Sequence, residues 1–298
     1  MATDQYSLTD PRTRYPSISP PIQQQPEPGI QANMDPVPDL GETSYRGSGR
    51  LTGRKALITG GDSGIGGAVA IAFAREGADV AISYLPEEEE DARHIVGLIK
   101  EAGRTAVAFP GDLKDKNYCR ELVEAAVTGL GGLDIVVSNA GKQVFVEKLE
   151  DISDEQFEDT MRTNVFAMFW IIKAAVPHLK PGSTIIATAS LEAYHQLPFL
   201  LDYATTKGAI NNFSKALAQQ LAPRGIRVNA VAPGPTWTAL QVTQGYPPEK
   251  LPEYGKDNPL GRSGQPAELA PAYVFLASGE SSFVIGETLN VNGGMPTP

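Results

Sequence analysis

Lys55-Ala-Leu-Ile-Thr-Gly60-Gly-Asp-Ser-Gly64-Ile-Gly66-Gly67 is the stretch that decides the fold. Lys55 to Thr59 is a short apolar run of strand type. Gly64 to Glu76 carries Ile65, Val69, Ala72 and Phe73 at helical spacing. Between them, Gly60, Gly64 and Gly66 allow a tight turn and a close approach of backbone to ligand. Glycines alone say little, because tight turns need them anyway. A glycine turn that follows the first strand and opens the first helix is the setting for a pyrophosphate on the positive helix end. The expected cofactor contacts here are Gly60, Asp62, Ser63, Gly64, Ile65 and Gly66, joined by Tyr84 at the tip of the next strand.

The alternation continues outward. Strands are expected at 79–84, 105–109, 133–137, 184–188, 226–231 and near 287–291. Helices are expected at 87–102, 115–128, 154–179 and 203–221. Strands alternating with helices imply βαβ crossovers and a parallel sheet covered on both faces. The fold class is α/β: a doubly wound, Rossmann-like parallel sheet in a single domain, residues 51–298, with an N-terminal extension over 1–50.

That extension is rich in proline (Pro11 to Pro38) and holds Gln23-Gln24-Gln25, with few large apolar residues. It can form neither a helix nor a central strand. Composition alone fits a disordered tail. An extended arm lying on the body or on a neighbouring subunit is the other reading.

The chain has 298 residues and a formal net charge of −10, which argues against a nucleic-acid partner. Its one cysteine, Cys119, forbids an intrachain disulfide. No apolar run approaches the length of a membrane span and no secretory signal is visible, so the cytoplasm is the expected location.

Tyr203-Ala-Thr-Thr-Lys207 sets a phenol and an ammonium on one face of a helix. Carbonyl reduction needs a group that passes a proton at the substrate oxygen. A free phenol titrates near 10, and lowering it to about 7 takes about 4 kcal/mol, for which the Lys207 charge is the expected source. The spacing alone proves little, since Tyr246-Pro-Pro-Glu-Lys250 shares it. Pro247 and Pro248 make that segment a poor helix. Ser190 follows the fifth strand, at the sheet edge where doubly wound folds bind ligands. His94, His178 and His195 lack metal-ligand spacing, so no metal is expected. Trp237, Leu240, Tyr246 and Tyr254 lie in a Pro- and Gly-rich stretch suited to a substrate lid or to packing.

With its Gly-x-x-x-Gly-x-Gly spacing, the chain resembles the short-chain dehydrogenase/reductase family from about residue 50 to the end. Asn139-Ala140-Gly141, Asp112-Leu113, Pro233-Gly234 with Thr236 and Thr238, and Leu289 to Gly294 match its other elements in order. The resemblance implies that Asp112 meets the adenine and that Pro233 to Thr238 hold the nicotinamide carboxamide. It also implies that Ser190 bonds the substrate oxygen and that Asn164 holds a proton-relay water. The catalytic set is then Asn164, Ser190, Tyr203 and Lys207, with Tyr203 and Lys207 also on the cofactor. An N-terminally extended subgroup, similar to glucose/ribitol dehydrogenases and aldehyde reductases, shares the run at Pro86 to Ala92 and implies a homotetramer and an ordered arm. The implied function is NAD(P)-dependent interconversion of a carbonyl (aldehyde, ketone or sugar) and an alcohol. Negative charge at Asp62 and Glu87 to Glu90 leans toward NAD(H) over NADP(H). A silent dinucleotide-binding regulator or scaffold is the competing reading.

Overall fold

The computed structural model describes residues 4–297. Its strands are β1 (Lys55–Thr59), β2 (Asp79–Tyr84), β3 (Ala106–Pro110), β4 (Ile135–Ser138), β5 (Thr184–Thr188), β6 (Arg227–Pro233) and β7 (Thr288–Val291). All pair in parallel, in the order β3-β2-β1-β4-β5-β6-β7. Ala56, Leu57 and Ile58 of the central β1 are wholly buried, because helices cover both faces. The order reverses between β1 and β4, and such a switch point opens a crevice beyond the carboxyl ends of the strands.

One face is covered by α1 (Gly64–Arg75), α2 (Glu89–Glu101) and α7 (Pro266–Ala277), around Ile58, Phe73, Ile82 and Tyr273. The other carries α3 (Lys116–Leu130), α5 (Ala167–Ala175) and α6 (Leu201–Leu221), around Leu57, Val123, Ile171 and Ile185. The sequence reading leaves α7 unassigned. Its start is marked by Pro266 at the first position and by Glu268, whose carboxylate accepts from the Gln265 N–H at 2.9 Å.

The single helix expected over 154–179 is divided. α4 (Asp154–Met161) gives way to a π-helical turn, Arg162–Phe166, before α5. The turn holds Asn164 buried, an arrangement common where a helix serves a site. α5 stops at Ala175: Val176 keeps helical dihedrals, and Pro177, with no N–H to donate, breaks the ladder after it.

The N-terminal extension lies along the body, against the expectation from composition alone. With one 3₁₀ turn, Gln31–Asn33, and no strand among its described residues, it borrows backbone partners from the domain. Gln25 N–H donates to Val242 O at 2.8 Å, Pro36 O accepts from Trp237 Nε1 at 2.7 Å, and Ala267 N–H donates to Asp39 O at 3.1 Å. Leu40 and Tyr45 belong to the core beside α1. Burying those two side chains contributes about 1.5–3 kcal/mol each, which a polar tail could not offer. Proline content excluded regular structure without excluding order.

Candidate active site

Beyond the strand ends lies a cleft of about 570 Å³, within the range of small-molecule sites. Its wall includes Gly60, Asp62, Ser63, Gly64, Ile65, Tyr84, Asp112, Leu113, Asn139, Ala140, Gly141, Ser190, Tyr203, Lys207, Pro233, Gly234, Thr236 and Thr238. Of the residues singled out from sequence, Gly66 and Asn164 stand behind it. Gly66 is a packing requirement: a Cβ there would lie 1.9 Å from Gly60 O.

The glycine turn is as open as its spacing suggests, with Gly60 at φ +59 and Gly64 at φ +50. One difference matters. The Gly64 N–H does not face an empty helix end but donates at 2.8 Å to Gln31 Oε1 of the N-terminal arm. Asn139 ties the strand tips together. Its Nδ2 donates to Thr59 O and Gly60 O at 3.2 and 3.1 Å, and its Oδ1 accepts from Thr188 Oγ1 at 3.2 Å.

At the β2 end of the cleft, Asp62 Oδ2 and Ser83 Oγ are buried without a partner. Buried polar atoms are rarely left so, and here both line a cavity. A carboxylate and a hydroxyl at this place suit the ribose and adenine end of a dinucleotide. Glu88, which the sequence reading did not separate from its acidic run, joins them. Burial pushes Asp62 up to about 6. Burial, and then the Asp62 charge, push Glu88 up to about 8. The Tyr84 hydroxyl is taken by Glu89 Oε2 at 2.5 Å.

At the other end, α6 brings Tyr203 and Lys207 together as expected. Lys207 Nζ lies 5.2 Å from the Tyr203 ring centroid and donates to Thr188 O at 2.9 Å. Ser190 follows β5 and lines the cleft with Tyr203, its Oγ accepting from Glu192 N–H at 3.1 Å. The electrostatics depart from expectation. Burial holds the phenol well above its usual range, and the nearby Ser190 hydroxyl opposes this. Burial also draws Lys207 down to about 8. In this closed environment desolvation favours the uncharged form of both groups, so the ammonium alone does not acidify the phenol.

Asn164 Oδ1 accepts from Lys142 N–H at 2.7 Å, while Nδ2 donates to Lys142 O at 2.9 Å and Thr206 Oγ1 at 3.0 Å. Both amide protons are used on the protein, so what Asn164 does here is hold the loop after β4. That loop borders Lys207: a Cβ on Gly141 would sit 3.5 Å from Asn164 Oδ1 and 3.7 Å from Lys207 Nζ.

The sequence reading missed Gln143, Glu192 and Phe199 on the wall beside Tyr203, and Glu27 and Pro28 from the arm. These come from loops and a tail whose conformation carries no local signature. Trp237 is fully buried and packs 6.3 Å from Tyr254. Tyr246 and Tyr254, their rings 5.0 Å apart, both reach the cleft. His195 sits exposed at its rim. The decoy partner Lys250 lies in a 3₁₀ turn, Pro248–Glu253, and its Nζ is 6.0 Å from the Phe199 ring.

The fold and the cleft define an oxidoreductase that uses a nicotinamide dinucleotide. A family model described as enoyl-(acyl carrier protein) reductase matches residues 60–296. The chain belongs to the short-chain dehydrogenase/reductase family. It is 58% identical over 287 residues to the uncharacterized oxidoreductase YghA of Escherichia coli, covering 96% of this chain and 98% of that one. It is 42% identical over 280 residues to the glucose and ribitol dehydrogenase of Daucus carota, covering 92% and 96%. A short chain dehydrogenase from Burkholderia cenocepacia, solved in complex with NADP, superimposes with a TM-score of 0.74 at 34% identity, covering 82% of this chain and 98% of that one. Among the described residues, no helix is long and apolar enough to cross a membrane.

Proposed function

We propose that the protein interconverts an alcohol and an aldehyde, ketone or sugar carbonyl, with Tyr203 as proton donor and acceptor. The observation that carries this is the buried Tyr203 phenol, sharing the wall of one cleft with Ser190, Lys207 and the glycine turn, with Lys207 Nζ over its ring. A bound dinucleotide supplies or accepts the hydride.

The chain's own residues do the rest. A phenol kept neutral by burial is ready to protonate the oxygen of a carbonyl as negative charge gathers there. Ser190 orients that oxygen. Lys207, drawn down to about 8, remains mostly protonated at neutral pH and lowers the cost of the phenolate left behind. Gly60, Ser63, Ile65, Asn139, Ala140 and Gly141 would border the dinucleotide's phosphates and riboses. Asp62, Ser83, Tyr84, Asp112 and Leu113 would border its adenosine. Pro233, Gly234, Thr236 and Thr238 would border its nicotinamide.

The wall near Tyr203 mixes Gln143 and Glu192 with Leu197, Phe199 and Tyr246. That mixture suits a substrate with hydroxyls along an aliphatic frame, and the Daucus carota relative bears the name of such a dehydrogenase. The lean to NAD(H) drawn from charge finds no support in the Burkholderia relative, which was solved with NADP. With Glu88 pushed up to about 8, the cleft is less negative at neutral pH than its formal count, and the chain accepts either dinucleotide. We further read residues 51–298 as the catalytic domain and 1–50 as its extension, in a cytoplasmic homotetramer. Exposed Phe169 on α5 and fully exposed Phe283 supply apolar surface for assembly.

Incubation with NADH or NADPH and a panel of aldehydes, ketones and sugars tests the reading. Turnover should fall by about 10²–10⁴ in Tyr203→Phe with dinucleotide affinity kept. Binding without turnover across the panel would point instead to the regulator.

A further inference from the structure

The N-terminal arm runs along the dinucleotide cleft between residues 25 and 36. Gln31 is gripped from two sides: its N–H donates to Asp91 Oδ2 at 2.6 Å, and its Oε1 accepts from Gly64 N–H at 2.8 Å. Four and three residues earlier, Glu27 and Pro28 are part of the cleft wall. Glu27 Oε2 meets Lys142 Nζ at 2.7 Å, and Lys142 also meets Asp159 Oδ2 at 2.9 Å. Gly29 has φ +84, and a Cβ there would lie 2.5 Å from Thr243 Cγ2, so the arm presses on the loop after β6. This short segment therefore joins three borders of the cleft: the start of α1, the loop after β4 and the loop after β6.

A remote clamp for assembly would not need contacts at these points. Helix N-terminal N–H groups are the donors a diphosphate uses. Spending the first of them on buried Gln31 fixes the turn with a neutral side chain, not a carboxylate, against the helix end. We propose that the arm is a working part of the dinucleotide site, with Gln31 positioning the glycine turn for the diphosphate and the Glu27–Lys142 pair closing the cleft over a bound dinucleotide. This rests on the oxidoreductase reading above.

The test uses the full chain and needs no substrate: NADH and NADPH are titrated by fluorescence, and their release is timed after mixing with excess oxidised dinucleotide. Gln31→Ala should weaken both dinucleotides about tenfold. Gln31→Glu is the sharper variant, because its carboxylate still accepts from Gly64 and suits the helix dipole. Buried beside Asp91, that carboxylate costs some stability, so binding is read at a temperature where the melt shows the variant folded. Both dinucleotides should bind at least about tenfold more weakly through repulsion of the diphosphate. Glu27→Gln should release them about threefold faster and remove the salt dependence of release, as for a half-exposed ion pair. Wild-type affinity in Gln31→Glu would reduce the residue to a structural prop and overturn the inference alone. A wild-type protein that binds no dinucleotide would overturn both the inference and the oxidoreductase reading.

Discussion

The Asn164 side chain grips the Lys142 peptide from both sides, accepting its N–H at 2.7 Å and donating to its carbonyl at 2.9 Å. The π-helical turn at Arg162–Phe166 places the amide where a regular helix would have rotated it away. The loop so held contains Gly141, which borders Lys207.

Asn164→Ala leaves the Lys142 peptide and the Thr206 hydroxyl short of partners in a buried place. A loss of about 2–3 kcal/mol of stability is expected, with a fall in kcat as the loop drifts from Lys207. Thermal melting and steady-state rates would show both. Unchanged kcat in a stably folded variant would free Asn164 from any catalytic duty.

Lys207→Met separates stability from function. A lysine drawn down to about 8 holds fewer protons folded than unfolded between about 8 and its ordinary 10.5. Wild-type stability should therefore rise as pH increases through that window, by about 3 kcal/mol in all, and Lys207→Met should not show the rise. At neutral pH the methionine variant escapes the cost of the buried charge and loses the Thr188 bond, so it should melt no lower than about 2 °C below wild type while losing turnover. Denaturant melts at several pH values decide it.

Glu88 should couple cofactor choice to pH. Its carboxyl is pushed up from 4.5 to about 8, so the folded state holds a proton that the unfolded chain releases. Stability therefore falls as pH rises across that interval. Once ionised, Glu88 adds negative charge beside Asp62, and affinity for NADPH relative to NADH should drop by roughly tenfold between about pH 6.5 and 9. Glu88→Gln should flatten that ratio. A flat ratio in the wild type would place the 2′ end of the cofactor elsewhere.

Glu76 anchors the arm to α1. It is fully buried, and its carboxylate accepts from Tyr45 Oη at 2.8 Å, Ser48 N–H at 2.9 Å and Arg50 at 2.7 Å. Burial alone would raise it, but the Arg50 bonds prevail and bring it to about 2. A depressed carboxylate stabilises above its unfolded value and loses that contribution as pH falls from 4.5 toward about 2. Glu76→Gln should cost about 3 kcal/mol at neutral pH and much less near pH 3, by chemical denaturation. Truncation through residue 45 should be worse, since it also removes Leu40 and Tyr45 from the core.

The amino-acid sequence alone determined the doubly wound sheet, the glycine turn and the meeting of Tyr203 with Lys207 on one helix. Each follows from a local pattern: strand or helix periodicity, a turn that needs glycine, or two side chains four residues apart on one helix. Ser190 was reached through its place after β5 and the family resemblance. Local patterns could not find α7, which has few polar residues to mark an outer face, nor the break at Asn164, where a π turn leaves no periodic trace. Only the tertiary structure decided that a proline-rich tail is ordered, because its hydrogen-bond partners, Gly64, Asp91 and Trp237, lie far along the chain. Tertiary structure alone also set the direction in which Tyr203, Lys207 and Glu88 shift. Burial is the largest cause in each, and burial belongs to the assembled fold.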